Sequence, residues 1–116
     1  MVYQGLAKVK MAKLQTLRRD FENLKMKESQ IVDTFMVSVM GLINQMKSHG
    51  EDISNRRVVE KILRILPSKF DSLVVPIEET KDLDTYIVDE LQASLISHEH
   101  QLRRSNGDSI ENAFKT

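Results

Sequence analysis

Among its 116 residues the sequence has no cysteine and no tryptophan, only two prolines and four glycines, and 5% aromatic residues. Without cysteine, disulfides, cysteine nucleophiles and Cys-ligated zinc or iron–sulfur sites are excluded from this stretch of chain. Because proline and glycine interrupt helices most strongly, their scarcity favours a helical chain. The composition therefore predicts an all-α protein that is compatible with a reducing compartment.

The charges are balanced, and long apolar runs are missing. Lys plus Arg and Asp plus Glu each number 17, so the formal net charge at pH 7 is +0. A dedicated nucleic-acid surface usually produces a basic excess, which this chain lacks, although a local basic patch is compatible with the count. No apolar run approaches the roughly 18 residues that span a bilayer. These features predict a protein of the cytoplasm, with the nucleus as the alternative, and no membrane partner.

Apolar residues recur three or four positions apart in several segments, which is the spacing of amphipathic helices. The predicted helices cover about 7–24, 31–47, 55–66, 68–77 and 88–104. Two adjoining apolar stripes place the second helix at the centre of the core. We expect Ser29 to cap the second helix, Ser54 or Asn55 to cap the third, and Pro76 to bend or shorten the fourth. Polar residues from 105 onward predict a disordered tail.

Sequence motifs for catalysis or metal binding are missing. The chain has no G-x-S-x-G elbow, no phosphate-binding glycine loop and no H-E-x-x-H pair. His98 and His100 are two residues apart, so on a helix they point roughly 200° away from each other and do not share an ion. His98 lies on an apolar stripe and is predicted to be packed and partly buried. We therefore expect no catalytic residue, no metal site, no cofactor and no enzymatic activity.

Two groups of residues have two interpretations each. The basic residues of the first helix are Lys8, Lys10, Lys13, Arg18 and Arg19. They are compatible with phosphate contacts, but a solvated face is the favoured interpretation. The methionines of the second helix are Met36, Met40 and Met46. They are compatible with an adaptable binding groove, but core packing is favoured.

An ordered series of short motifs extends over most of the chain. Residues 14–27 read L-Q-T-L-R-R-D-F-E-N-L-K-M-K, and residues 31–35 read I-V-D-T-F. Residues 50–54 read G-E-D-I-S, residues 57–71 read R-V-V-E-K-I-L-R-I-L-P-S-K-F-D, and residues 88–99 begin with V-D-E-L and end with H-E. Each motif is weak alone. Their order, in one register from about Gln4 to Arg104, resembles plant-type Gag polyproteins of copia-type LTR retrotransposons.

The resemblance implies a structural capsid domain similar to the C-terminal lobe of retroviral capsid proteins. The implied fold is an all-α, five-helix bundle like a capsid C-terminal domain, with an extra N-terminal amphipathic helix. Residues 1–24 would form that helix, as the end of the preceding lobe or as a linker, residues 25–104 the lobe-like domain, and residues 105–116 the tail. Ile87 stands where family members often have a capping Ser or Thr, so we expect Asp84 or Thr85 to cap the last helix.

The resemblance also implies the partner. A capsid lobe buries surface against copies of itself, so the expected partner is a second copy, in a homodimer or a higher oligomer. The candidates for self-association lie on the apolar stripe of the first helix and on the outer side of the third: Met11, Leu14, Leu17, Phe21, Arg56, Arg57, Glu60 and Arg64. The alternative function is a domesticated Gag-derived host module that binds a cellular protein or peptide. Weak RNA contact by the basic first helix is a third interpretation, which the zero net charge does not support.

Overall fold

The computed structural model describes residues 2–115, with side chains described for residues 5–105. These residues form five α-helices and one short 3-10 turn, with no strand among them. The elements in chain order are α1 (Val2–Glu22), α2 (Val32–Ser48), α3 (Asn55–Ile65), the 3-10 turn (Ser68–Phe70), α4 (Asp71–Thr80) and α5 (Val88–Lys115). The prediction of an all-α fold is confirmed, and each predicted helix has its counterpart.

The core is built around α2, as its two apolar stripes predict. The buried residues of α2 are Val32, Phe35, Met36, Val39, Ile43 and Met46. They pack in one apolar cluster with the inner side of α3, with Phe70 of the 3-10 turn, and with Leu91 and Leu95 of α5. No polar side chain is buried within the part of the chain whose side chains are described. Each large apolar side chain in this cluster contributes roughly 1.5–3 kcal/mol by leaving water.

The helix α1 is divided between packed and projecting halves. Leu17 and Phe21 are buried in the core, whereas Leu6, Val9 and Met11 are 57%, 65% and 63% exposed. The first half of α1 therefore extends beyond the packed body of the protein.

Local capping predictions hold for α3 but not for α2. The Arg57 amide donates to the Ser54 hydroxyl at 3.1 Å, which confirms Ser54 as the N-cap of α3. The N-cap position of α2 is Ile31, whose side chain makes no capping hydrogen bond, so the expectation that Ser29 caps this helix is wrong. Instead the Val32 amide donates to Oε2 of Glu99, which lies on α5, at 2.8 Å. The α2 N-terminus is thus capped by another helix.

The start of α5 is also held by a residue of another helix. The Val88 amide donates to Oδ1 of Asn55, on α3, at 3.3 Å, and Nδ2 of Asn55 donates to the Tyr86 carbonyl at 2.7 Å. The expectation that Asp84 or Thr85 caps α5 is wrong. Both residues belong to the preceding turn, where their amides donate to the side chain and the carbonyl of Asp82, each at 3.0 Å.

Two helices are longer than their sequence patterns predict. α4 continues past Pro76 to Thr80, although a proline at its sixth position removes the backbone hydrogen bond to the Ser72 carbonyl. The expectation that Pro76 shortens this helix is therefore wrong. α5 continues to Lys115, beyond the predicted end near Arg104. The disordered tail expected over 105–116 stays a prediction. No proline follows Pro76 in the sequence, so no residue there excludes helical geometry.

The cross-helix cap of α2 predicts a specific loss of stability. Glu99→Ala should lower the free energy of unfolding by about 1 kcal/mol, because it leaves the Val32 amide without its acceptor. Glu99→Gln should lower it less, since the amide oxygen still accepts this hydrogen bond. Urea unfolding followed by circular dichroism measures both. The control is Gln101→Ala, at an exposed position in the interior of the same helix, and an equal loss in that control would contradict the capping role.

Candidate self-association surfaces

The outer side of α3 carries a row of charged residues opposite its buried apolar side. Arg56 and Arg64 are exposed and Glu60 is half-buried, while Val58 and Ile62 face the core. This placement is the one that the periodicity predicts. The row therefore lies at the surface of the folded chain.

Arg56 is already engaged within the chain. Its Nε donates to Glu60 at 2.7 Å and its Nη1 donates to Asp84 at 2.9 Å. The hydrogen bond with Asp84, followed by that with Glu60, raises the pKa of the Arg56 guanidinium above its ordinary value. Arg56 thereby links α3 to the turn before α5, and the free end of the row is Arg64, which forms no ion pair with any residue whose side chain is described.

Arg57 is part of a network that attaches α1 to the core. Its Nη1 lies 3.6 Å from Oε1 of Glu51, and its guanidinium carbon lies 5.5 Å from the ring centroid of Phe21. Glu51 also accepts from Nε of Arg18, on α1, at 3.2 Å. The hydrogen bond from Arg18 lowers the pKa of Glu51 below its ordinary value of 4.5, with Arg57 contributing and partial desolvation opposing. Arg57 therefore serves the packing of its own chain.

The apolar stripe of α1 is not a continuous surface. Leu17 and Phe21 are buried inside their own chain, Leu14 is half-buried, and Met11 is exposed. Leu17 and Phe21 are thus closed to a partner on the folded chain, because the second half of α1 already packs on the core. Nζ of Lys61 lies 5.5 Å from the Phe21 ring centroid and donates to the carbonyl of Glu22, at the end of α1, at 3.0 Å. Of the four stripe candidates, Met11 and part of Leu14 remain at the surface.

Several exposed apolar side chains lie outside the predicted candidates. They are Leu6, Val9, Ile31, Val37, Val75 and Ile87. The sequence does contain a signal that Val75 is exposed. This apolar residue lies on the same side of α4 as two acidic residues, Asp71 four residues before it and Glu79 four residues after it. Apolar residues interleaved with charges on one helix side are typical of a surface that is solvated or meets a partner.

Two predictions are confirmed: His98 is partly buried, and Met36 and Met46 pack in the core. His98 is half-buried, with Nε2 3.1 Å from the Lys69 carbonyl and its ring centroid 5.6 Å from that of Phe70. Met36 is only 2% exposed, and Met46 is fully buried. These methionines fill the core and do not line an open groove. Among the residues described, no group of three or more His, Asp or Glu side chains is arranged to hold a metal ion.

Most of the chain matches a known protein family. A family model described as gag-polypeptide of LTR copia-type matches residues 3–108, which include most of α1 and the core helices. The chain belongs to the copia-type Gag family. Comparisons with curated proteins and with solved structures found no match. In the part of this Gag domain that the structure describes, no helix combines the length and apolarity needed to cross a bilayer.

The Arg18–Glu51–Arg57 network predicts a pH-dependent contribution to the stability of the Gag domain. Because the folded-state pKa of Glu51 lies below 4.5, the carboxylate stabilises the fold fully above that pH, and the stabilisation is lost as the pH falls through the folded-state pKa. Glu51→Gln should therefore lower the free energy of unfolding at pH 7, and the difference should shrink on acidification. Urea unfolding at several pH values measures this, with the neighbouring Asp52→Asn as control. A difference independent of pH would contradict the assignment.

Proposed function

We propose that this chain is a structural capsid domain of Gag that self-associates during the assembly of retrotransposon particles and has no enzymatic activity. The family match over residues 3–108 carries the proposal. The arrangement of α3 supports it, since one side is buried in the core and the other presents charged residues to solvent. Assembly of this kind is expected in the cytoplasm.

The contact we favour is a homodimer formed through the outer side of α3. In a two-fold contact the same surface serves both copies, so Glu60 of one copy can face Arg64 of the other. Such a contact is small and weak by itself, and repetition in a particle strengthens it. Arg64 is the best probe of this contact, because Arg56 and Arg57 hold their own chain together.

The structure lends no support to a peptide-binding groove of a host module. Such a groove would lie near Met36 and Met40, but Met36 is buried against the apolar cluster and Met40 is half-buried. Opening this region would expose the centre of the core. We therefore favour self-association over binding of a cellular peptide.

Self-association is tested by size-exclusion chromatography with light scattering at about 100 μM, a concentration suited to weak contacts. We expect a mass above the 13.4 kDa of one chain. Arg64→Glu should shift the population toward the monomer, because it places like charges across the two-fold contact. A strictly monomeric native chain at this concentration would overturn the proposal.

The matched control for Arg64→Glu is Lys47→Glu. Both residues are exposed and lie in the last turn of their helices, so both substitutions disturb the helix dipole alike. Circular dichroism and thermal unfolding should show the same small change in both variants. Only Arg64→Glu should reduce the mass in solution, and an equal reduction by Lys47→Glu would mean that the effect is one of overall charge.

A further inference from the structure

The projecting half of α1 presents a face that the rest of the chain leaves uncovered. Leu6, Val9, Lys10 and Lys13 follow the i, i+3, i+4, i+7 spacing that places residues on one side of a helix. All four are exposed. Neither lysine forms an ion pair with any side chain in residues 5–105. We call these four residues the α1 basic face.

The outer side of α4 has the complementary character. Asp71, Glu78 and Glu79 lie four residues before, three after and four after Val75, so the four share one side of this helix, and all four are exposed. Val75 is 51% exposed, and Ile77 on the other side is buried in the core. α4 contains no lysine or arginine. We call this side the α4 acidic face.

We propose that the α1 basic face of one copy docks on the α4 acidic face of a second copy. Two lysines would meet three carboxylates, and Leu6 and Val9 would cover Val75. The contact joins two different surfaces, so every copy offers one of each and can bind a neighbour on both sides. The proposal rests on the self-association proposed above and adds a second contact to that of α3.

The α1 basic face has a fixed position, because the second half of the same helix is anchored in the core. Leu17 and Phe21 anchor the second half of the helix in the core, and Arg18 is tied to Glu51. The first half continues the same helix outward from this anchor. Since a preformed helix has little backbone freedom to lose, docking costs less entropy than ordering a flexible segment would.

The chemistry of the face favours a protein partner over nucleic acid. A phosphate-binding face gains from dense positive charge, whereas here two apolar side chains lie among the lysines. The chain itself contains the complementary surface. The α1 basic face is positive and the α4 acidic face is negative, while the net charge of the chain is +0. A second copy thus satisfies both the charge and the apolar requirements of the face.

A charge swap tests the contact. Lys10→Glu/Lys13→Glu makes the α1 basic face acidic, and Glu78→Lys/Glu79→Lys makes the α4 acidic face basic. Each variant alone should weaken the contact by at least about tenfold in Kd, because like charges then oppose each other. An equimolar mixture of the two should recover native association. Sedimentation velocity measures the species, and raising the salt from about 50 mM to about 500 mM should weaken the native contact.

The control variant is Lys8→Glu/Lys27→Glu, which makes the same change in net charge at exposed positions outside the α1 basic face and should associate as the native chain does. Native-like association of both swap variants, or a mixture that does not recover, overturns the contact. If Lys10→Glu/Lys13→Glu instead loses only its affinity for a single-stranded 30-nucleotide RNA probe, the face binds RNA and the proposal is wrong.

The outcomes also separate this contact from that of α3. If Arg64→Glu dissociates the protein while the swap variants behave as native, the α3 contact stands and this one fails. If the swap variants dissociate and recover in mixture while Arg64→Glu has no effect, this contact stands and the α3 contact fails. A native chain that remains monomeric overturns both.

Discussion

The hydrogen bond from the Val32 amide to Glu99 fastens the start of α2 to α5 and adds a directional contact to the apolar packing of these helices. The core is apolar, and apolar burial has no preferred direction, so burial alone does not fix how the helices are rotated or offset. Asn55 on α3 adds the second fastening, because its side chain both accepts from the first amide of α5 and donates to the carbonyl of Tyr86. Glu99 therefore links α5 to α2, and Asn55 links α3 to α5. In each case a side chain of one helix makes hydrogen bonds with the backbone at or just before the start of another.

The second half of α1 packs on the body formed by α2, α3 and α5, whereas the described side chains of its first half are exposed. Arg18 and Phe21 meet Glu51 and Arg57, and Lys61 closes the end of the helix at Glu22. These bonds all lie in the second half of α1. The first half gains rigidity from them without being covered. One continuous helix thus provides both an anchor and an exposed surface. Arg57 of α3 contributes to the anchor, whereas Lys10 and Lys13 remain at the surface.

The helices and the buried residues of α2 and α3 were predictable because their signals are local. The cap of α3 was predictable for the same reason, since Ser54 lies three residues before the amide that it accepts from. The caps of α2 and α5 were not, because Glu99 and Asn55 are distant in the sequence and meet those helices only after folding. The stripe of α1 posed a related problem. Its periodicity shows that Leu17 and Phe21 are covered, but does not show whether their own chain or a second copy covers them.

The zero net charge also has a different meaning once the fold is known. In the composition it speaks against a dedicated nucleic-acid surface, whereas the fold places the lysines of the α1 basic face and the carboxylates of the α4 acidic face on separate helices. A two-fold contact through α3 alone stops at a dimer, because both copies use the same surface. A particle needs a further contact between unlike surfaces, so that each dimer can bind others. The proposed contact between the α1 basic face and the α4 acidic face would be such a pair, and because the chain is neutral overall, an assembly built through it would not accumulate charge.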